Sequence, residues 1–272
     1  MNILLPIALI GAIAISSFSP KSKTSKPVSS STKEKINVGL YKSYGVSPIS
    51  FDNSKKILEN NKDINLSILS SSDIRNGKID KNKIDVMVFM GGSGSQQGKD
   101  LKESGRAIVK DFVSKGGGYF GVCGGSYLAL QGAEEFNKLA IVAGENYGDY
   151  WQRGIGNALI KTNDGGEVVL HYENGPVFER MKIDGISPYV ELGLFESDFY
   201  KPSKGTQKGE MPGRPAIIGS KYGKGKIILF SPNPIIGDKE TLHPELLING
   251  IKFLASDKTM KSGIKFKEIF GV

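Results

Sequence analysis

Gly116 to Leu130 read GGGYFGVCGGSYLAL, and the fold is decided in this run. A glycine-rich turn leads into a short apolar strand, the chain's single cysteine, two more glycines and a helix-compatible SYLAL. This is the pattern of a nucleophile elbow. A strand that turns into a helix so abruptly leaves no room for a Cβ beside the nucleophile, and Gly121, Gly124 and Gly125 supply that room. Cys123 then stands at a helix N-terminus, where unpaired amides and the helix dipole favour a thiolate over a thiol. The competing reading is a small buried cysteine in a glycine-rich turn. The flanking glycines decide for the elbow.

Working outward, the chain alternates strands with helices. INVGLY (Ile36 to Tyr41), INLSILS (Ile64 to Ser70) and IDVMVFM (Ile84 to Met90) are short apolar runs bounded by Asn, Asp, Lys and Gly, and SFDNSKKILENN reads as a helix between the first two. Asp100 to Lys115 is the clearest helix. Leu101, Ile108, Val109, Phe112 and Val113 fall on one face, Asp100 and Glu103 form a capping pattern, and Gly116 ends it. Gly118 to Val122 is then the strand that delivers Cys123. The alternation predicts an α/β fold: a three-layer parallel sheet with ligand sites at the carboxyl ends of its strands. The second half is richer in β structure, with ALIKT, GEVVLHYENGPVF, VELGLF and a hairpin in PAIIGSKYGKGKIILFSPNP that turns at Tyr222, Gly223 and Gly225. A last helix starts near Pro244 and runs through ELLINGIKFLAS.

The formal charge is +8, and half of that excess lies in residues 1–35, where Lys21, Lys23, Lys26, Lys33 and Lys35 oppose Glu34. The remaining basic residues are scattered, which argues against a nucleic-acid partner. One cysteine forms no internal disulfide, and His171 and His243 are too far apart in sequence to suggest a metal site. Residues 1–19 read as a signal peptide or N-terminal membrane anchor, because Ile3 to Phe18 is an uncharged apolar run. No Lys or Arg precedes that run and five lysines follow it. On the positive-inside rule this holds the folded part on the cytoplasmic side of an anchor, so membrane-anchored, secreted and cytoplasmic forms stay open. Residues 20–35 read as a disordered Ser/Lys linker, 36–256 as the folded domain and 257–272 as a basic C-terminal tail.

A second glycine-rich segment, MGGSGSQQGK (Met90 to Lys99), follows a strand. It fails as a phosphate loop, since Ser93 stands where GxxxxGK[ST] needs glycine and Asp100 where it needs Ser or Thr. It fails as a dinucleotide fingerprint because Gln97 replaces the third glycine. No cofactor is expected. Backbone amides at Gly91 to Gly94, with Gly92 foremost, can join the amide of Gly124 as an oxyanion hole for an intermediate on Cys123. A flexible loop is the alternative.

MGGSGSQQGKDL, IVKDFVSKGGGYFGVCGGSYLAL, VVLHYENGPVF and PAIIGSKYGKGKIILFSPNP, in that order, resemble the biotin-protein ligase N-terminal domain family, within the class I glutamine amidotransferase-like superfamily. The resemblance covers roughly residues 36 to 256. It implies a flavodoxin-like α/β fold and a Cys-His-Glu site with Cys123 at the nucleophile position. Biotin ligation is not implied: 272 residues leave no room for the ligase catalytic domain, and no GRGRxxR-like loop is present. In the family the strand matching IILFSP is followed by His-Pro-Glu. Here Ser231, Pro232, Asn233, Pro234 and Ile235 occupy those places, with Asn233 at the histidine position. A literal His243-Pro244-Glu245 follows ten residues later, either a displaced base pair or a helix start in which His243 caps and Glu245 favours the dipole. His171, in VVLHY, reads as a packed or hydrogen-bonded strand residue and not as a base. The expectation is an amide or acyl substrate handled through a Cys123 thioester with a degenerate triad, or a non-catalytic binding or regulatory module. Oligomeric state is not legible in the chain.

Overall fold

The computed structural model describes residues 1–3, 35–80 and 83–272. The leader and linker assignments over 1–19 and 20–35 therefore fall almost wholly outside the described residues. Among the described residues no helix is long and apolar enough to cross a membrane.

In chain order the elements are β1 (Ile36–Tyr41), α1 (Pro48–Glu59), β2 (Ile64–Leu69), α2 (Ser71–Arg75), β3 (Val86–Phe89), α3 (Gly94–Ser114), β4 (Gly118–Val122) and α4 (Gly124–Ala129). The β-rich half adds β5 (Gly144–Asn146), β6 (Ile155–Thr162), β7 (Glu167–Glu173), β8 (Phe178–Arg180), β9 (Val190–Phe195), β10 (Pro215–Tyr222) and β11 (Gly225–Phe230). Helices α5 (Pro244–Ala255) and α6 (Phe266–Phe270) close the chain.

Nine strands form one sheet in the order β2-β1-β3-β4-β11-β10-β9-β6-β7, while β5 and β8 pair in a separate ribbon. From β2 to β11 neighbouring strands run parallel, and from β11 to β7 they run antiparallel. The parallel core agrees with the alternation in the first half of the sequence. The β-rich half extends that sheet with antiparallel strands, so the sheet as a whole is mixed. Continuous apolar runs such as VMVF arise because both faces are covered. Val86 and Val88 enter one core with α1, α5 and α6, whereas Met87 and Phe89 enter the other with α2, α3 and α4. Tyr119 and Phe120 on β4, and Ile227 and Ile228 on β11, divide between the cores in the same way.

Two expectations change. Helix α3 begins at Gly94, not Asp100, because the Ser93 hydroxyl accepts from the Gln96 amide and starts it early. Its regular run is interrupted at Lys102 (φ 59°, ψ 176°), and the Asp100 carboxylate accepts from the Tyr41 hydroxyl at 3.0 Å. The folded unit does not stop at 256 either: it runs on to Val272. In the stretch read as a basic tail, Met260, Ile264, Phe266, Ile269 and Phe270 are buried in the core, with α6 packed on α5, Phe270 against Phe230 of β11 and Met260 over Gly219 of β10.

Candidate functional site

Three loops converge where β3, β4 and β11 end, at the carboxyl edge of the parallel strands. They carry Gly91–Ser93, Cys123–Gly125 and Ser231–Asn233. The β4 loop is the elbow expected from the sequence. Cys123 has φ 49° and ψ −107°, a backbone conformation unusual for a residue with a side chain and one that costs about 1–3 kcal/mol. Surrounding bonds enforce it. The Cys123 amide donates to the Phe230 carbonyl at 2.8 Å, the Ser126 hydroxyl donates to the same oxygen at 2.7 Å, and the Tyr119 hydroxyl donates to the Gly125 carbonyl at 2.7 Å. A Cβ on Gly124 would run into the Gly92 carbonyl, and one on Gly125 into the Phe89 carbonyl. The glycines thus let two backbones touch.

The loop after β3 is held just as firmly. Ser47 N donates to Gly91 O and Ser93 N to Gly45 O, each at 2.8 Å, and Gly91 N donates to Ser50 Oγ at 3.1 Å. Gly92 has φ 128°, a conformation suited to glycine. The amides of Gly92 and Gly124 thus lie close enough to the Cys123 sulfur to favour its ionised form.

Cys123 is half-buried, and its S–H donates weakly to the Glu173 carbonyl at 3.6 Å. The sequence favoured a thiolate here; the structure opposes one. Burial pushes the thiol up to about 11, the amides of Gly92 and Gly124 pull the other way, and the Glu173 carboxylate adds to the rise. Helix α4 has only six residues, so the field at its N-terminus is too small to offset desolvation.

The polar partners depart from the Cys-His-Glu site that the resemblance implied. Asn233, 6% exposed, stands on the wall of the site, and its Nδ2 donates to Ser50 Oγ at 3.2 Å while its Oδ1 accepts from the Ile235 amide at 3.0 Å. It ties the β11 loop to α1. Ile235 is fully buried in the core. His243 occupies the N-cap position of α5, yet its ring does not cap: Nδ1 lies 3.0 Å from Glu245 Oε1 and Nε2 lies 3.2 Å from the Glu240 carbonyl. Neither His243 nor Glu245 lines the cavity that holds Cys123.

That cavity encloses about 750 Å³. Besides the three loops it is walled by Tyr127, Phe136, Lys138, Glu145, Asp149, Trp151, His171 and Glu173. His171 and Glu173 come from β7, brought in where the Asn233 amide donates to the His171 carbonyl at 2.7 Å. His171 is therefore more than the packed strand residue of the sequence reading. The alternation HYE in β7 placed His171 and Glu173 on one face, and that was the available signal. Trp151, Lys138 and Asp149 lie in connecting segments and gave none.

Residues 36–144 match the family model described as biotin-protein ligase, N terminal. No curated protein matches the chain in sequence. Among solved structures, a glutamine amidotransferase superposes with a TM-score of 0.52 at 19% identity, covering 86% of this chain and 99% of that one. A putative ThuA-like protein from Parabacteroides merdae gives 0.55 at 16% identity, covering 84% and 93%. A cytoplasmic protein from Salmonella typhimurium gives 0.50 at 14%, covering 80% and 98%. At these identities the structures speak for the fold alone. The chain has a glutamine amidotransferase-like α/β fold, and over residues 36–144 it is similar to the biotin-protein ligase N-terminal family.

Proposed function

We propose that this domain binds a small amide or acyl compound in the Cys123 cavity and acylates the thiol slowly, as a glutamine amidotransferase-like protein with a degenerate triad. The observation that carries this reading is the strained elbow at Cys123, packed backbone to backbone against the Gly92 loop so that the Gly92 and Gly124 amides lie near Sγ. In the proposed step the deprotonated sulfur adds to the substrate carbonyl carbon, and the oxygen, now anionic, accepts from those two amides. Collapse breaks the carbon–nitrogen bond. The amine leaves with a proton drawn through solvent, which also received the thiol proton. Water then cleaves the thioester, releasing the acid and restoring the thiol. A second reading, ligand binding without turnover, is favoured by the Asn233 side chain, which is committed to Ser50 and Ile235 and supplies no base.

Incubation with an electrophilic glutamine analogue, followed by intact mass and peptide mapping, tests the thioester. A single adduct on Cys123, absent in Cys123→Ser, supports acylation. Modification only after denaturation overturns it and leaves the binding reading.

A further inference from the structure

The charges of the cavity run against those of the chain. The whole sequence carries +8, yet the cavity holds three carboxylates, Glu145, Asp149 and Glu173, against the ammonium of Lys138. That ammonium is already committed: it donates to the Gln131 carbonyl at 2.7 Å, lies 3.9 Å from the Tyr127 ring centre and feels Glu145. Asp149 and Glu173 have no ion pair or side-chain hydrogen bond among the described residues. Glu173 faces the thiol closely enough to disfavour its ionisation. Asp149 and Glu173 are both exposed, and two uncompensated carboxylates on one concave surface raise the local concentration of cations.

Two further observations indicate that something binds there. Ser231 is 1% exposed, lies on the cavity wall, and its hydroxyl has no partner among the described residues. Trp151, 55% exposed, presents a large aromatic surface on the same cavity, the kind of face that attracts an organic cation. We infer that the ligand of this cavity carries a positively charged nitrogen, an alkylammonium group that sits between Asp149 and Glu173 with its carbonyl end toward Cys123. The assignment rests on reading this cavity as the ligand site, whether or not turnover follows.

The test uses the full chain and three amides of similar length: 5-aminopentanamide, pentanamide and glutaramate, which are cationic, neutral and anionic. Ligand-observed NMR titration should show the cationic amide binding at least tenfold more tightly than the neutral one, with the preference shrinking as salt rises. Glu173→Gln and Asp149→Asn should each erase most of that preference without changing Tm. Equal binding of the neutral amide, tighter binding of glutaramate, no binding of any amide, or a preference unmoved by Glu173→Gln would overturn it. The two readings fail separately. Selective binding of the cation without a Cys123 adduct removes the thioester alone, whereas equal adduct formation from neutral and cationic amides removes the ammonium assignment alone.

Discussion

Cys123 shows how far a single residue can be read from its neighbours. The glycines around it announced the strained turn, because only a backbone-to-backbone approach such as Gly124 on Gly92 requires them. Its ionisation was not legible, since desolvation depends on packing that the sequence does not display. With the thiol pushed up to about 11, iodoacetamide labelling at neutral pH should be slow and should keep rising through pH 10, where an ordinary thiol has levelled off. A labelling midpoint near 8 would contradict the burial argument. The sign for stability follows from the same shift. Between its ordinary value of 9.0 and about 11 the folded chain holds the proton that the unfolded chain has lost, so stability falls as pH rises through that window, and Cys123→Ala should flatten the fall. Asn233→Ala leaves Ser50 Oγ and the Ile235 amide short of a partner and should cost about 2 kcal/mol in urea unfolding. Asn233→His is the informative change for chemistry: a ring at this position that reached the thiol would raise the labelling rate about a hundredfold or more, and an unchanged rate would show that position 233 does not serve Cys123. Adding Ile235→Glu, to complete the His-Glu pair that the resemblance implies, should unfold the protein, because Ile235 is wholly buried.

At the scale of elements, strong periodicity was legible and backbone-driven structure was not. Strands β1, β3 and β4 and the hairpin β10–β11 carried dense apolar runs. The early start of α3 depended on one serine cap inside a segment that reads as a loop. Helix α6 was hidden for another reason: Lys258, Lys261, Lys265 and Lys267 dominate the composition of 257–272, while Ile264, Phe266, Ile269 and Phe270 turn inward. Each of those four side chains is worth about 2 kcal/mol when buried, and a domain is stable by only about 5–15 kcal/mol. A chain ending at Ser256 should therefore aggregate or lose its cooperative thermal transition. Gly124→Ala should cost about 1–3 kcal/mol by forcing the β3 and β4 loops apart, and a melting temperature equal to wild type would show that the loops yield freely.

For the whole molecule, the order of strands in the sheet differs sharply from their order in the chain. β4 ends at Val122, and its partner β11 begins at Gly225, so the hydrogen bonds from Tyr119 to Val122 across to Ile227 to Phe230 close a very long loop. The α/β class was readable from the alternation, but this join was not, because strand pairing across a hundred residues leaves no local trace. It also has a consequence in time. A ribosome adding about 5–20 residues per second needs several seconds to pass from Val122 to Phe230, and throughout that interval β4 presents a bare, apolar edge of the kind that recruits other chains. Residues 36–144, the stretch that matches the family model, end inside that interval. Produced alone they should be sticky and unstable, whereas a chain from Glu34 to Val272 should be monodisperse by light scattering. Early arrest of synthesis, more than any surface mutation, is where this protein is most exposed to loss.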